Sequence, residues 1–182
     1  MASRSTISAR RYAEAVYDIA AEHETFVAWR TDLRTIADFV ERPDVAGVLA
    51  SGRVPRPEKQ RLLEAGLADA IGPLALNMVR LLLERGRLEL ARDIEATFLE
   101  MLDERLNIAH AMVTTAVPLD DEERRAVAAK LSSLTGKQVD VTPVVDESII
   151  GGVVARIGDE LIDGSTKTRL LALKRRLAGA AR

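Results

Sequence analysis

Residues 109–118 read AHAMVTTAVP, a β-branched run bounded by turn residues, and they predict a strand. Nothing upstream has that character. There, apolar residues recur at steps of three and four. Tyr12, Val16 and Ile19 mark a helix capped by Ser5, Thr6 or Ser8 and running to about residue 22. Phe26, Trp29, Leu33, Ile36 and Val40 mark a second, which stops before Pro43. Pro43 and Asp44 open a short third helix over Val45, Val48 and Leu49. The breaker Gly52-Arg53-Val54-Pro55-Arg56-Pro57 leads into a fourth, with Pro57 in its first turn and Leu62, Leu63 and Leu67 along it. Gly72-Pro73 starts a fifth over residues 74–85, closed by Gly86. A sixth runs from about residue 88 to 106 with Leu90, Ile94, Phe98, Met101 and Leu102 inside.

Downstream of the strand, Asp120-Asp121-Glu122-Glu123 puts acids where a helix dipole favours them, and Gly136 closes that helix. Residues 138–145 alternate Val139, Val141 and Val145 with Asp140 and Thr142, the period of a half-buried strand. Residues 149–157 predict another. Gly158-Asp159 makes a hairpin turn into a further short strand over Glu160-Leu161-Ile162, and Ser165 caps a last helix bearing Leu170, Leu173 and Leu177. The fold class expected is α+β: an N-terminal six-helix bundle over residues 1–105, then a small βαββα domain over 106–182. The sixth helix runs into the first strand without a floppy linker, which predicts a stiff joint.

Composition narrows the chemistry. The 182 residues are 47% apolar and 30% charged, but only 3% aromatic, so the core is aliphatic. Cysteine is absent and there are two histidines, which excludes disulfides, thiolate metal sites, cysteine nucleophiles and a multi-histidine metal centre. Charges nearly cancel, 26 basic against 28 acidic. No apolar run approaches the roughly 18–20 residues a bilayer span needs; residues 74–83 are broken by Asn77 and Arg80. Residues 1–11 are rich in Ser and Arg and free of acids, like a transit peptide, yet helical periodicity from Ile7 leaves no room for one. A soluble, intracellular protein is expected.

Catalytic motifs fail one by one. Gly136-Lys137 lacks the earlier glycine and the following Ser or Thr of a phosphate loop, since those positions hold Leu131 and Gln138. Asp146, Glu147, Asp159, Glu160 and Asp163 have no calcium-loop spacing and read as solvated acids at strand ends. His23 and His110 have no nucleophile or carboxylate at diagnostic spacing. Residues 165–182 carry six basic residues and no acids, but the cations surround a Leu stripe and no aromatic platform accompanies them. A solvated helix face accounts for them better than nucleic-acid binding.

The fifth helix is the informative one. At 100° per residue, Leu74, Ala75, Leu76, Met78, Val79, Leu81, Leu82 and Leu83 cover an arc of about 220°, roughly twice what an ordinary surface helix buries. The first helix adds Ala9, Ala13 and Ala20 beside Tyr12, Val16 and Ile19, small residues that permit close helix approach. Either the fifth helix is central in its bundle, or another chain covers its extra face; the residues weigh the two evenly.

These segments carry a resemblance. Ala9-Arg10-Arg11-Tyr12-Ala13-Glu14-Ala15, Asn77 with Leu81 and Leu82, Arg85-Gly86-Arg87-Leu88, Ile149-Ile150-Gly151-Gly152 and Ile162-Asp163-Gly164-Ser165 followed by Arg169-Leu170 occur in the order seen in the delta subunit of bacterial F-type ATP synthase, which is similar to the mitochondrial oligomycin sensitivity-conferring protein. Residues 40–72 match only as a pattern of Pro, Lys59 and Leu. The resemblance implies a non-catalytic stator subunit with no cofactor. It implies that residues 1–105 bind the top of the alpha/beta catalytic head, taking the alpha subunit's N-terminal helix between the first and fifth helices. The contact residues would be Ala9, Tyr12, Ala13, Val16, Ala20, Asn77, Met78, Leu81 and Leu82. Residues 106–182 would hold the C-terminal end of the peripheral-stalk b subunits, with Gly151, Gly152, Asp163, Gly164 and Ser165 as structural signature. The chain would be peripheral, at the cytoplasmic face of the bacterial plasma membrane as part of the ATP synthase, and serve proton-driven ATP synthesis. An unrelated helical adaptor that binds a partner helix in a groove is the alternative, and neither reading involves nucleic acid or membrane insertion.

Overall fold

The computed structural model describes residues 4–146, 149 and 151–163, with side chains from residue 7. Helix and sheet are segregated along the chain, which makes the fold α+β. Two compact units divide between Leu102 and Asp103.

The first unit is helical: α1 (Arg4–Glu22), α2 (Phe26–Glu41), α3 (Pro43–Ala50), α4 (Arg56–Leu67), α5 (Pro73–Arg85), a 3-10 turn over Leu88–Leu90, and α6 (Ala91–Leu106), which reaches into the second unit. One aliphatic cluster joins them, with Leu33, Ile36, Leu63, Leu67, Val79, Leu82, Ile94 and Phe98 fully buried. The prolines act at starts: Pro43, Pro57 and Pro73 each sit in the first turn of a helix, where no N–H partner is lost. The start of α5 is tied to α2, because the Gly72 N–H donates to Asp32 Oδ2 at 3.0 Å.

Two expectations are corrected here. Helix α1 begins at Arg4, so Ser5, Thr6 and Ser8 lie inside it; a cap must sit outside the helical backbone. The sixth α-helix begins at Ala91 and not near 88. Gly86 ends α5 in the left-handed conformation at φ 62°, with its N–H on the Leu83 carbonyl and the Arg87 N–H on that of Leu82. This glycine stop is followed at once by the 3-10 turn, which sends Leu88 and Leu90 into the core.

In the second unit the described residues form β1 (Ile108–Thr115), α7 (Asp121–Thr135), β2 (Gln138–Val145), β3 (Val153–Ile157) and β4 (Glu160–Asp163). The sheet order is β2-β1-β3-β4, with β1 parallel to β2 and antiparallel to β3. Asn107 makes the switch from helix to strand. It adopts φ 54°, its Nδ2 donates to the Gly136 carbonyl at 3.0 Å, and its own carbonyl accepts from Gln138 N–H. Asn is one of the few side-chain-bearing residues that tolerates this conformation. A reciprocal cap starts α7: Glu123 N–H donates to Asp120 Oδ1 and Asp120 N–H to Glu123 Oε2. Ala109, Ala111, Val113, Val139, Val141 and Ala155 point to one face of the sheet and pack with Leu131 of α7.

The strand expected over 149–157 starts only at Val153. Gly151 and Gly152 precede it with φ of 153° and 91°, backbone that leaves the extended ladder, so the paired glycines form the bend that leads into β3. Asp163 closes β4 opposite Val154. Gly164, Ser165 and the helix expected after them lie outside the described residues.

Candidate partner-binding surface

Helix α5 settles which of its many apolar residues are core. Ala75, Met78, Val79, Leu82 and Leu83 are all buried. Leu74 and Leu81 remain 48% and 40% exposed. Spacings of 4, 3 and 4 align Leu74, Met78, Leu81 and Arg85 in one stripe, of which Leu74, Leu81 and Arg85 are exposed and Met78 is buried. The wide arc therefore divides into a core face and an apolar track at the surface. Asn77 borders that track, and its Oδ1 accepts from Arg80 Nη1 at 3.1 Å while Arg80 reaches Glu64 of α4 at 2.9 Å.

The first helix divides differently. Ala9, Ala13 and Ala20 are 0% exposed and Val16 is nearly so, all in the unit's own core. Tyr12 and Ile19 pack half-buried at its edge, and Ile7 is 52% exposed. Of the residues expected to meet a partner, then, Asn77 and Leu81 are exposed and Tyr12 is half-buried. Ala9, Ala13, Val16, Ala20, Met78 and Leu82 are core residues of this chain. Small side chains on α1 serve close packing within the unit; composition could not say whose helix they admit.

Where the beginning of α1 meets the end of α5 there is an open cleft of about 640 Å³, lined by Ile7, Ser8, Arg11, Arg85, Arg87 and Glu89 among others. Arg87 Nη1 donates to Ser8 Oγ at 2.7 Å, which ties α1 to the segment that leads from α5 into the 3-10 turn. A larger hollow of about 720 Å³ lies between Val40, Leu49, Val54, Leu83 and Leu88. Two of its cations are already engaged: Lys59 Nζ donates to the Leu49 carbonyl at 2.6 Å, and Arg92 binds Asp38, Glu41 and Glu95 at 2.6–2.7 Å. Arg92 holds the Glu41 carboxyl below its ordinary range, chiefly through their hydrogen bond.

In the second unit, Thr142, Met112, Arg156 and Leu161 are register partners across all four strands, on the face away from α7. Met112 and Leu161 are exposed there. On the same face His110 Nε2 lies 2.8 Å from Asp103 Oδ2 and its Nδ1 3.7 Å from Asp140. Among the described residues no three His, Asp or Glu gather as metal ligands, and no helix is long and apolar enough to cross a membrane.

A helical unit with an apolar track, joined to a small mixed sheet, has relatives. A family model described as ATP synthase delta (OSCP) subunit matches residues 8–177. The chain belongs to that family. It is 36% identical over 179 residues to the ATP synthase subunit delta of Desulfotalea psychrophila, covering 97% of this chain and 98% of that one. It is 38% identical over 170 residues to the subunit delta of Desulforamulus reducens, covering 93% and 94%. Among solved structures, a chain of the Toxoplasma gondii mitochondrial ATP synthase hexamer shares the fold, with a TM-score of 0.61, 21% identity, and coverage of 93% and 97%. As a member of this family the chain is a non-catalytic subunit of ATP synthase. In the Arg85-Gly86-Arg87-Leu88 segment, Gly86 supplies the left-handed stop, Arg87 the clasp to α1 and Leu88 a core contact. Ile7, Leu74, Arg11 and Arg85 at the surface were not singled out as contact residues from the sequence. For the leucine and the arginines the available signal was helical phase: they follow once the buried stripe of each helix is fixed.

Proposed function

We propose that this subunit is the stator link of the F-type ATP synthase. Its helical unit holds the top of the alpha/beta catalytic head, and its second unit holds the C-terminal end of the peripheral-stalk b subunits at the cytoplasmic face of the plasma membrane. The task is mechanical: contacts must resist rotor torque while chemistry proceeds in other subunits. The observation that supports the head contact is the exposed Leu74–Leu81 track on α5. Apolar area of that kind gains about 25 cal/mol per Å² when covered, before ordering costs. An amphipathic helix at the alpha subunit's N-terminus is the proposed occupant, resting on Leu74 and Leu81 and bordered by Asn77 and Tyr12. The buried alanines of α1 contribute indirectly, by fixing that helix in the core.

Calorimetric titration of the full chain with a synthetic peptide of the alpha-subunit N-terminus tests this. Leu81→Asp is expected to weaken binding at least ~10-fold, the loss typical of a central interface anchor. Its thermal unfolding should change little, because Leu81 is already at the surface. Unchanged affinity in a folded Leu81→Asp variant would remove α5 from the interface.

A further inference from the structure

The apolar track does not end in neutral surface. Arg85 closes the Leu74–Met78–Leu81 stripe and also lines the cleft with Arg11 and Arg87, against a single carboxylate, Glu89. Arg11 and Arg85 make no ion pair among the described residues, and both are exposed. Arg87 is held in place by Ser8, and Gly86, turning left-handed between the two arginines, brings both into the cleft wall. A local excess of guanidinium charge at one end of an apolar track is complementary to an acidic ligand group, and guanidinium pairs carboxylates in a two-pronged geometry.

We infer that the Arg11–Arg85–Arg87 cleft receives carboxylates carried at one end of the amphipathic helix that lies along α5, so that the surface selects an acidic amphipathic helix over a merely apolar one. This rests on the reading of α5 as the head contact. It adds the partner's charge, the end of the groove that reads it, and a salt-dependent part of the affinity.

The test uses the full chain, the alpha-subunit N-terminal peptide from the same genome, and a copy of that peptide with every Asp and Glu changed to Asn and Gln. Titrations are run at low and high NaCl, with unfolding curves as the fold control. Binding of the native peptide should weaken as salt rises. The double variant Arg11→Gln/Arg85→Gln should lose about 10-fold at low salt, and most of the salt dependence with it. The neutral peptide should bind more weakly and not respond to the arginine changes. Native-peptide affinity indifferent to both salt and the double variant would overturn the inference and leave the α5 contact standing. Failure of both peptides to bind the unmodified chain would overturn both. Arginine-dependent capture by phosphatidylglycerol vesicles, with peptide affinity unchanged in the variant, would overturn it in favour of a lipid surface.

Discussion

At Gly66 the missing side chain is itself a packing element. A β-carbon there would overlap the Phe39 ring, so glycine lets α4 lie against α2 at ring contact. Gly47, inside α3, has nothing within 4 Å of the same position. The two glycines should therefore respond oppositely to alanine. Gly47→Ala is expected to stabilise by about 0.4–1 kcal/mol, because it restricts the unfolded chain without a native clash. Gly66→Ala gains the same helix propensity but must displace Phe39, and is expected to destabilise by about 1–3 kcal/mol of overpacking less that gain. Urea unfolding of both variants checks the pair; a stabilised Gly66→Ala would show that Phe39 moves aside freely. None of this was readable beforehand, since a lone glycine in a helical pattern looks the same whether it faces a ring or solvent.

Between elements, Arg92 is the most connected charge, tying the start of α6 to Asp38 and Glu41 on α2 and to Glu95 one turn on. Glu41 is held below its ordinary value of 4.5 by the hydrogen bond from Arg92. A carboxyl with a depressed folded pKa stabilises fully above its unfolded value and loses that contribution as pH falls through the folded one. Thermal stability should thus be insensitive to Glu41 ionisation from pH 7 to about 5, then fall below 4.5. In Glu41→Gln the neutral-pH melting temperature should drop slightly, as for other exposed pairs, and the acid limb should be shallower. An acid limb identical in both proteins would contradict the tether. Element limits were legible where periodicity and stop signals agree: α2, α5 and α7 stand where their apolar steps, Pro73, Gly86 and Gly136 put them, and β2 spans Gln138–Val145, although its buried alternation ends at Val141 and Val145 is exposed. They were not legible where backbone conformation decides. The 3-10 turn at Leu88–Leu90 carries helical spacing, and the φ values of Gly151 and Gly152 that delay β3 leave no mark in a hydrophobic pattern.

Across the whole molecule, the separation of a helical unit from a mixed sheet follows from one change of period at Asn107, and that was visible in the residues. The partner surface was visible only in part. An arc of about 220° on α5 announces more apolar area than one face needs, but only packing shows that Leu74 and Leu81 are the surplus while the α1 alanines are consumed internally. That one chain joins two assemblies can be checked by immobilising the peripheral-stalk b subunit, adding the purified catalytic head, and measuring retained head by quantitative immunoblot with and without this chain. Retention is expected only when the full chain is present, and is expected to be lost again with Leu81→Asp although that variant still binds the b subunit. Head retained equally without the chain, or never retained with it, would contradict the link.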